Sequence, residues 1–184
     1  KKESKRLRKM AEETLELSKL ESSESFNKNK KISISDLVME SWQTLKPLAE
    51  KKDIKINLFI PTKYYISGDI ENLKRAFINI LDNSIRYSPT NEEIQIEIFK
   101  RDSSVVIRVR DKGIGLEENE YNDIFSRFYR GDPSRTKFKK SGSGLGLSIT
   151  KKIINNNKGF IKAFNHKDGG AIIETIFPCI NRDI

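Results

Sequence analysis

Two hydrophobic periodicities divide the chain into helices and strands. Apolar residues recur at helical spacing in four segments: 3–21, from Ser35 or Asp36 to about Lys51, from an Asp69 cap to about Tyr87, and from about Leu145 to Asn156. Apolar and polar residues alternate in five further segments, which are predicted strands: 54–60, 95–101, 104–111, 158–164 and 170–178. The second and third of these strands are predicted to form a hairpin.

The order of these elements predicts an α/β fold of the α+β type. It favours a two-layer sandwich, in which helices cover one face of a mixed, largely antiparallel sheet. The first helix has an apolar stripe too narrow to form a domain without a partner helix. The polar stretch 21–31 separates this helix from the globular pattern, and we place a linker at 25–31, between segments 1–24 and 32–184.

Composition narrows the possible functional classes. The chain has 184 residues and a net charge of +9, which suits one packed domain with a helical appendage. No apolar run reaches the roughly 18 to 20 residues that cross a bilayer. Because Cys179 is the single cysteine, neither a disulfide framework nor a cysteine-based metal site is expected.

Part of the positive charge is concentrated between residues 124 and 141. Six basic residues there face only Asp132: Arg127, Arg130, Arg135, Lys137, Lys139 and Lys140. The stretch adjoins two glycine motifs, so a phosphate ligand would suit it. No nucleic-acid partner is predicted, because the chain has no recognised reader motif and no basic residues interleaved with stacking aromatics.

The helix that ends near Tyr87 has one polar face. Asn79, Asn83, Arg86 and Tyr87 follow one another at helical spacing, and the opposite face is apolar. Two asparagines on a mostly buried helix need partners for their amides, and a hydrated Mg²⁺ with a polyphosphate would supply them. A polar stripe facing solvent is the alternative interpretation.

Asp111 is the last residue of the predicted strand at 104–111 and lies on its buried face. A carboxylate that faces a core requires a donor, and Gly113 and Gly115 allow a flat ligand to approach it closely. The exocyclic amine of adenine is such a donor, whereas guanine would present a carbonyl oxygen and be repelled. The alternative is an ordinary Asp-Lys-Gly turn.

Three glycines, Gly142, Gly144 and Gly146, lead into the helix that starts near Leu145. The free N–H groups at a helix N-terminus make an anion site. The pattern matches neither the phosphate loop that ends in Gly-Lys-Ser/Thr nor a dinucleotide fingerprint. Taken alone, it also fits a flexible loop before a helix.

The four motifs together resemble the catalytic domain of bacterial sensor histidine kinases. NILDNSIRYS, DKGIG, IFSRFYRGD and GSGLGLSI match the asparagine box, the first glycine box, the phenylalanine box and the second glycine box, in the family's order and spacing. The resemblance extends from about Lys1 to the C-terminus. It implies a Bergerat-type ATP-binding fold with ATP and Mg²⁺ as cofactors.

The resemblance also implies roles for individual residues. Asn83 would bind Mg²⁺, with Asn79 helping to position the metal and phosphates, and Asp111 would bind the adenine amine. Arg86, where the family usually has lysine, and Tyr87 would contact the phosphates or the ribose. Further residues would line the ATP pocket and its hinge: Gly113, Gly115, Phe128, Gly142, Gly144, Leu145 and Gly146.

The segment 116–141 resembles the family's mobile ATP lid. Phe125 and Phe128 would anchor this lid, and Arg130 would approach the γ-phosphate and join Asn79 and Arg86 in catalysis. Arg127 is a weaker candidate for the role of Arg130.

Segment 1–24 resembles the end of the second helix of the dimerisation and phosphoacceptor hairpin. The first helix of that hairpin, with its acceptor histidine, is not in this sequence, and His166 lies in a polar turn predicted to be at the surface. The implied partners are ATP, the hairpin of the same protein in a dimer, and the receiver domain of a response regulator. The implied location is the cytoplasmic side of a plasma-membrane sensor.

Two other functions fit parts of the pattern. ATPases and serine kinases of the same superfamily typically carry glutamate four residues before the Mg²⁺ asparagine, where it acts as a general base. Asn79 stands at that position and cannot accept a proton near neutral pH, which favours histidine phosphorylation. A pseudokinase that binds nucleotide without catalysis is the other alternative, although all four motifs are intact.

Overall fold

A computed structural model describes residues 2–21, 30–131 and 143–180. The helices are α1 (Lys2–Glu21), α2 (Ile34–Glu50), α3 (Ile70–Tyr87), α4 (Glu120–Asp123) and α5 (Gly146–Asn156). The strands are β1 (Lys30–Ser33), β2 (Lys55–Phe59), β3 (Tyr65–Gly68), β4 (Glu93–Arg101), β5 (Ser104–Arg110), β6 (Phe160–Asn165) and β7 (Ala171–Pro178). Every helix and strand predicted from periodicity is present. The short elements β1, β3 and α4 were not predicted.

Five strands form one mixed sheet in the order β2-β4-β5-β7-β6. Strand β2 pairs parallel with β4, and the other three pairings are antiparallel. Strands β1 and β3 form a separate antiparallel pair. The predicted architecture, a largely antiparallel sheet packed against helices, is therefore confirmed. Strand β1 begins inside the predicted linker 25–31.

The inner face of the sheet forms the core with α2, α3 and α5. On β4 and β5 the alternate apolar side chains are almost completely buried: Ile94, Ile96, Ile98, Val105, Ile107 and Val109. Burial of each such side chain stabilises the fold by about 1.5–3 kcal/mol. Helix α3 contributes the face that carries Phe77 and Ile80, both fully buried. Its polar face is thereby turned away from the core.

The N-terminal caps explain where two helices begin. The predicted Asp69 cap is confirmed, since its Oδ1 accepts hydrogen bonds from the N–H groups of Glu71 at 3.0 Å and Asn72 at 3.1 Å. For α2 the predicted caps, Ser35 and Asp36, are wrong. The cap is Ser33, whose Oγ accepts from the Asp36 N–H at 3.4 Å. Strand β1 runs directly into α2, so the helix begins earlier than its polar residues indicate.

Helix α1 packs on α5 through the end of its apolar stripe. Leu17 and Leu20 are buried, and Asn156 Nδ2 donates to the Leu20 carbonyl at 3.0 Å. Leu7 and Leu15 are exposed. Across the described residues, no helix combines the length and apolarity that a membrane crossing requires.

Candidate functional site

The polar face of α3 forms one wall of the candidate site. Asn79 and Asn83 are half-buried, whereas Arg86 and Tyr87 are exposed near the end of the helix. Burial of the opposite face, including Leu73 and Leu81 with no exposed surface, holds this stripe in one orientation. The predicted division of α3 into a packed face and a polar face is confirmed.

Asn79 joins the asparagine motif to the second glycine motif. Its Nδ2 donates to the carbonyl oxygen of Gly146, the first residue of α5, at 3.3 Å. Thr150 Oγ1 donates to the same carbonyl at 2.9 Å, so the first turn of α5 is fixed against α3. The Leu145 side chain is buried beneath this turn. Helix α5 begins at Gly146, as predicted, and its N-terminus lies beside the asparagine stripe.

The side chain of Asn83 forms no hydrogen bond in the part of the chain that the structure describes. Its half-buried amide oxygen is a hard ligand of the kind that Mg²⁺ prefers, and Asn79 contributes a second amide one turn earlier. This donor set fits a magnesium ion that keeps several waters and is shared with a polyphosphate. Arg86 Nε donates to Asp82 Oδ2 at 2.7 Å, and this ion pair holds the guanidinium beside the last turns of α3.

Asp111 lies at the end of β5 with 7% of its surface exposed. Its Oδ1 accepts two backbone hydrogen bonds, from the N–H of Gly113 at 2.9 Å and of Ala171 at 3.0 Å. Oδ2 has no hydrogen-bond partner among the described residues. Burial raises the pKa of this carboxyl, although the two N–H groups oppose the shift. Asp111 is therefore a buried acceptor with one oxygen satisfied and one available.

Two glycines allow neighbouring backbone segments to approach the loop around Asp111 closely. A Cβ on Gly170, where φ is +81°, would lie 1.9 Å from the Asp111 carbonyl oxygen. A Cβ on Gly113 would lie 2.8 Å from the Tyr87 carbonyl oxygen. Only glycine fits at these two positions. The contact at Gly113 brings the first glycine motif against the end of α3.

The start of the predicted lid is tied to β6 behind Gly115. Asn165 Oδ1 accepts from the Leu116 N–H at 2.8 Å, and its Nδ2 donates to the Leu116 carbonyl at 2.7 Å. Gly115 lies directly against this asparagine. The two hydrogen bonds determine where the chain leaves the first glycine motif.

The phenylalanine motif contacts the second glycine motif through its backbone. A Cβ on Gly144, where φ is +78°, would lie 2.8 Å from the Phe128 carbonyl carbon. Phe125 is buried, as an anchor should be, but the Phe128 side chain is 54% exposed and its φ is 61°. The backbone of Phe128, not its ring, makes this contact, and the anchoring role of Phe128 stays a prediction.

Arg130 is half-buried and follows Tyr129, whose hydroxyl donates to Glu120 Oε1 at 2.6 Å. Arg127, the weaker candidate for a γ-phosphate contact, instead forms an ion pair with Glu21 of α1. Gly142 and the lid residues 132–141, with four of the six basic side chains, lie outside the described residues. His166 lies in the turn between β6 and β7, where its Nδ1 accepts from the Asp168 N–H at 3.0 Å.

Three contacts thus join the four motifs: Asn79 with Gly146, Tyr87 with Gly113, and Phe128 with Gly144. The sequence did not reveal three sets of supporting contacts: Gly170 and Ala171 against Asp111, the Tyr129 hydroxyl on Glu120, and Lys52 Nζ on the Ser88 carbonyl at 2.5 Å. The Gly169-Gly170 pair was a signal for the first set, because paired glycines before a strand permit a close backbone approach. The other two sets have no local pattern.

A fold of this kind, with these four motifs in contact, defines a class of ATP-binding domain. A family model described as histidine kinase-, DNA gyrase B- and HSP90-like ATPase matches residues 68–180, and the chain belongs to this family.

Within the family, the chain is similar to sensor histidine kinases. It is 32% identical over 176 residues to the sensor-like histidine kinase SenX3 of Mycolicibacterium smegmatis, covering 96% of this chain and 46% of the relative. It is 33% identical over 183 residues to the sensor protein SphS of Synechococcus elongatus, covering 96% and 44%. The chain therefore spans less than half the length of these relatives and corresponds to their ATP-binding catalytic region.

Solved structures share the fold. The mycobacterial sensor histidine kinase MprB has a TM-score of 0.72 at 24% identity, over 82% of this chain and 97% of that one. Full-length ShkA in complex with AMPPNP has a TM-score of 0.80 at 20% identity, over 95% and 36%. ThkA in complex with the response regulator TrrA has a TM-score of 0.74 at 22% identity, over 99% and 50%.

Proposed function

We propose that the chain binds Mg²⁺–ATP between α3, the Asp111 loop and the N-terminus of α5, and transfers the γ-phosphoryl group to a histidine on a separate helical hairpin. The observation that carries the proposal is the hydrogen bonding of the two carboxylate oxygens of Asp111. Backbone N–H groups satisfy its Oδ1, and Oδ2 has no hydrogen-bond partner in the described chain. On a carboxylate that is mostly buried, an oxygen that remains open to a ligand is a site for the exocyclic amine of adenine.

The asparagine stripe supports the metal and phosphate part of the proposal. Asn83 would bind Mg²⁺, which supplies positive charge to the phosphates, and Asn79 would orient the same group. Arg86, Tyr87 and Arg130 would contact the nucleotide from the end of α3 and from the lid. The N-terminus of α5 faces the same stripe and favours anions.

Asn79 supports a kinase that uses histidine as its acceptor. In the transfer, an imidazole nitrogen attacks the γ-phosphorus, the bond to the β–γ bridging oxygen breaks, and ADP leaves with that electron pair. A nitrogen lone pair needs no base to free it, whereas a water or a serine hydroxyl does. Hydrolysis should therefore be very slow.

The proposed partners follow from the relatives. The acceptor would be the helical hairpin of the same protein in a dimer, with α1 as the end of its second helix. The next recipient would be the receiver domain of a response regulator, since the ThkA structure is described as a complex with one. We place the parent protein in the plasma membrane with this domain in the cytoplasm, as for a sensor.

The test is transfer in trans. Given labelled ATP and Mg²⁺, the chain alone should incorporate no phosphate, whereas a separately supplied dimeric hairpin of the parent protein should acquire acid-labile, base-stable label. The rate should be low and depend on hairpin concentration, because oriented groups reach effective molarities of about 10⁵–10⁸ M. Arg130→Ala should lower the transfer rate more than ATP affinity, while Arg101→Ala, on the outer face of the sheet, should leave it unchanged. Label on the chain alone or on His166 would contradict the proposal.

A further inference from the structure

Lys52 binds the C-terminal end of α3 from a neighbouring turn. It lies between α2 and β2, and its Nζ donates to three backbone carbonyls: Ile85 at 2.8 Å, Arg86 at 3.1 Å and Ser88 at 2.5 Å. The last carbonyls of a helix lack partners within the helix, and the helix dipole favours a cation there. The three N–H groups of one ammonium thus match three carbonyls that α3 cannot satisfy itself.

The backbone of Lys52 is itself held in place. Its N–H donates to the Ala49 carbonyl at 3.0 Å, and its carbonyl accepts from the Asn91 N–H at 2.9 Å. Burial lowers the pKa of the Lys52 ammonium, because the carbonyls replace part of its hydration. The side chain therefore extends from a fixed turn.

The end of α3 also contacts the loop that follows Asp111. Ser88 is fully buried, and its Oγ accepts from the Lys112 N–H at 3.4 Å. The Tyr87 carbonyl lies against Gly113 in the same loop. The three carbonyls bound by Lys52 therefore belong to the turn that joins the side chains of α3 to the loop of Asp111.

We propose that Lys52 is a positioning residue for nucleotide binding. By holding the last turn of α3 against the Asp111 loop, it sets the spacing between the phosphate-contacting residues Arg86 and Tyr87 and the adenine-contacting Asp111. This inference rests on the proposed function. Because the spacing matters only to a ligand that spans both ends, loss of Lys52 weakens binding of ATP more than binding of adenosine.

The test compares the affinities of ATP and adenosine in matched lysine variants. Lys52→Met keeps the length of the stem and removes the donors, and it should weaken ATP binding about tenfold but adenosine binding less than about threefold. Lys52→Arg keeps the charge and should recover part of the loss. Lys74→Met is the control, because Lys74 lies on α3 itself and pairs with Glu40 of α2 at 3.0 Å, not with the carbonyls at the end of α3. It should change both affinities less than about twofold.

Ser88→Ala provides a second variant should Lys52→Met fail to fold. It keeps the carbonyls that Lys52 binds but removes the acceptor for the Lys112 N–H, the contact through which Lys52 would act on the Asp111 loop. It should therefore also weaken ATP binding more than adenosine binding. Unchanged ATP affinity in these variants, or an equal loss for ATP and adenosine, would overturn the role of Lys52 while leaving the proposed function intact. A wild-type chain that binds no ATP would overturn both.

Discussion

At the scale of single residues, the site combines buried polar atoms that the fold satisfies only in part. Asp111 is the clearest case, because burial raises its pKa and the ionised form is therefore disfavoured in the folded domain. A folded-state pKa above the unfolded value means that its favourable contribution to stability is present at low pH. That contribution is lost as the pH rises through the raised pKa. At neutral pH the ionised Asp111 carboxylate lowers the stability of the domain, but it is the form that can accept a hydrogen bond from the proposed ligand.

We predict that Asp111→Asn weakens ATP binding without destabilising the domain. The asparagine Oδ1 can still accept from Gly113 and Ala171, but its amide group would meet the adenine amine donor to donor. ATP affinity should fall by about 5- to 150-fold, or about 1–3 kcal/mol, as measured by calorimetry. The free energy of unfolding at neutral pH should be unchanged or higher, and any gain should vanish as the pH falls below the ordinary aspartate value of 3.8.

Asp102→Asn is the matched control for that experiment. Asp102 lies in the exposed turn between β4 and β5 with φ of 55°, a conformation that asparagine also adopts readily. This variant should bind ATP as the wild type does. Wild-type protein that binds GTP as tightly as ATP would argue against the role given to Asp111.

At the scale of secondary-structure elements, one buried glutamate on the outer face of the sheet forms ion pairs with basic residues of neighbouring strands. Glu174 on β7 has no exposed surface and pairs with Arg108 at 2.6 Å, Lys162 at 3.2 Å and Arg101 at 3.4 Å. Burial alone would raise its pKa, but the hydrogen bonds and charges of Arg108 and Lys162 together outweigh burial and lower it. This cluster ties β4, β5, β6 and β7 together on the face without helices.

We predict that Glu174→Gln destabilises the domain by about 1–3 kcal/mol at neutral pH, because it leaves three cations around an uncharged group. Since the folded pKa of Glu174 is lowered, its contribution is full above the ordinary value of 4.5 and is lost as the pH falls through the folded value. Denaturation should therefore show the two proteins converging at acid pH. Glu97→Gln, at an exposed carboxylate 3.9 Å from Arg108, should cost less than about 0.5 kcal/mol. A constant difference at all pH values would refute the electrostatic explanation.

At the scale of the whole molecule, α1 is attached to the ATP-binding domain by apolar and ionic contacts. Leu17 and Leu20 join the hydrophobic core, while Glu16 pairs with Arg75 and Glu21 with Arg127. Arg127 belongs to the phenylalanine motif, so this attachment connects α1 to that motif. The ion pairs are partly exposed, and exposed pairs contribute little to stability.

We predict that the leucines, not the ion pairs, hold α1 in place. Leu20→Ala should weaken the attachment by about 2 kcal/mol or more, because it removes most of a buried apolar side chain. Glu21→Gln should change it by less than about 0.5 kcal/mol, because it affects a partly exposed ion pair. Hydrogen exchange of α1 amides measures the effect, with exchange in β4 and β5 as the internal reference. Faster exchange of α1 in Glu21→Gln than in Leu20→Ala would show that the ionic contacts dominate.

The elements and motifs that depend on local spacing can be predicted from the amino-acid sequence. The period of 3.6 residues located α3 and its asparagine face, and the period of two placed Asp111 at the end of a buried face. The four motifs and their order indicated the nucleotide site before any contact was known. These features follow from the periodicity of helices and strands, which is visible in the order of apolar and polar residues over a short stretch of sequence.

The pairing of polar groups that are distant in sequence depends on the folded structure. The hydrogen bond from Ala171 to Asp111 spans 60 residues, and those from Lys52 reach 33 to 36 residues along the chain. The same holds for the exposed ring of Phe128 and for the pairing of Arg127 with Glu21. These contacts depend on how the sheet and helices pack. Packing brings together residues that are far apart in the sequence, and local sequence patterns do not predict such contacts.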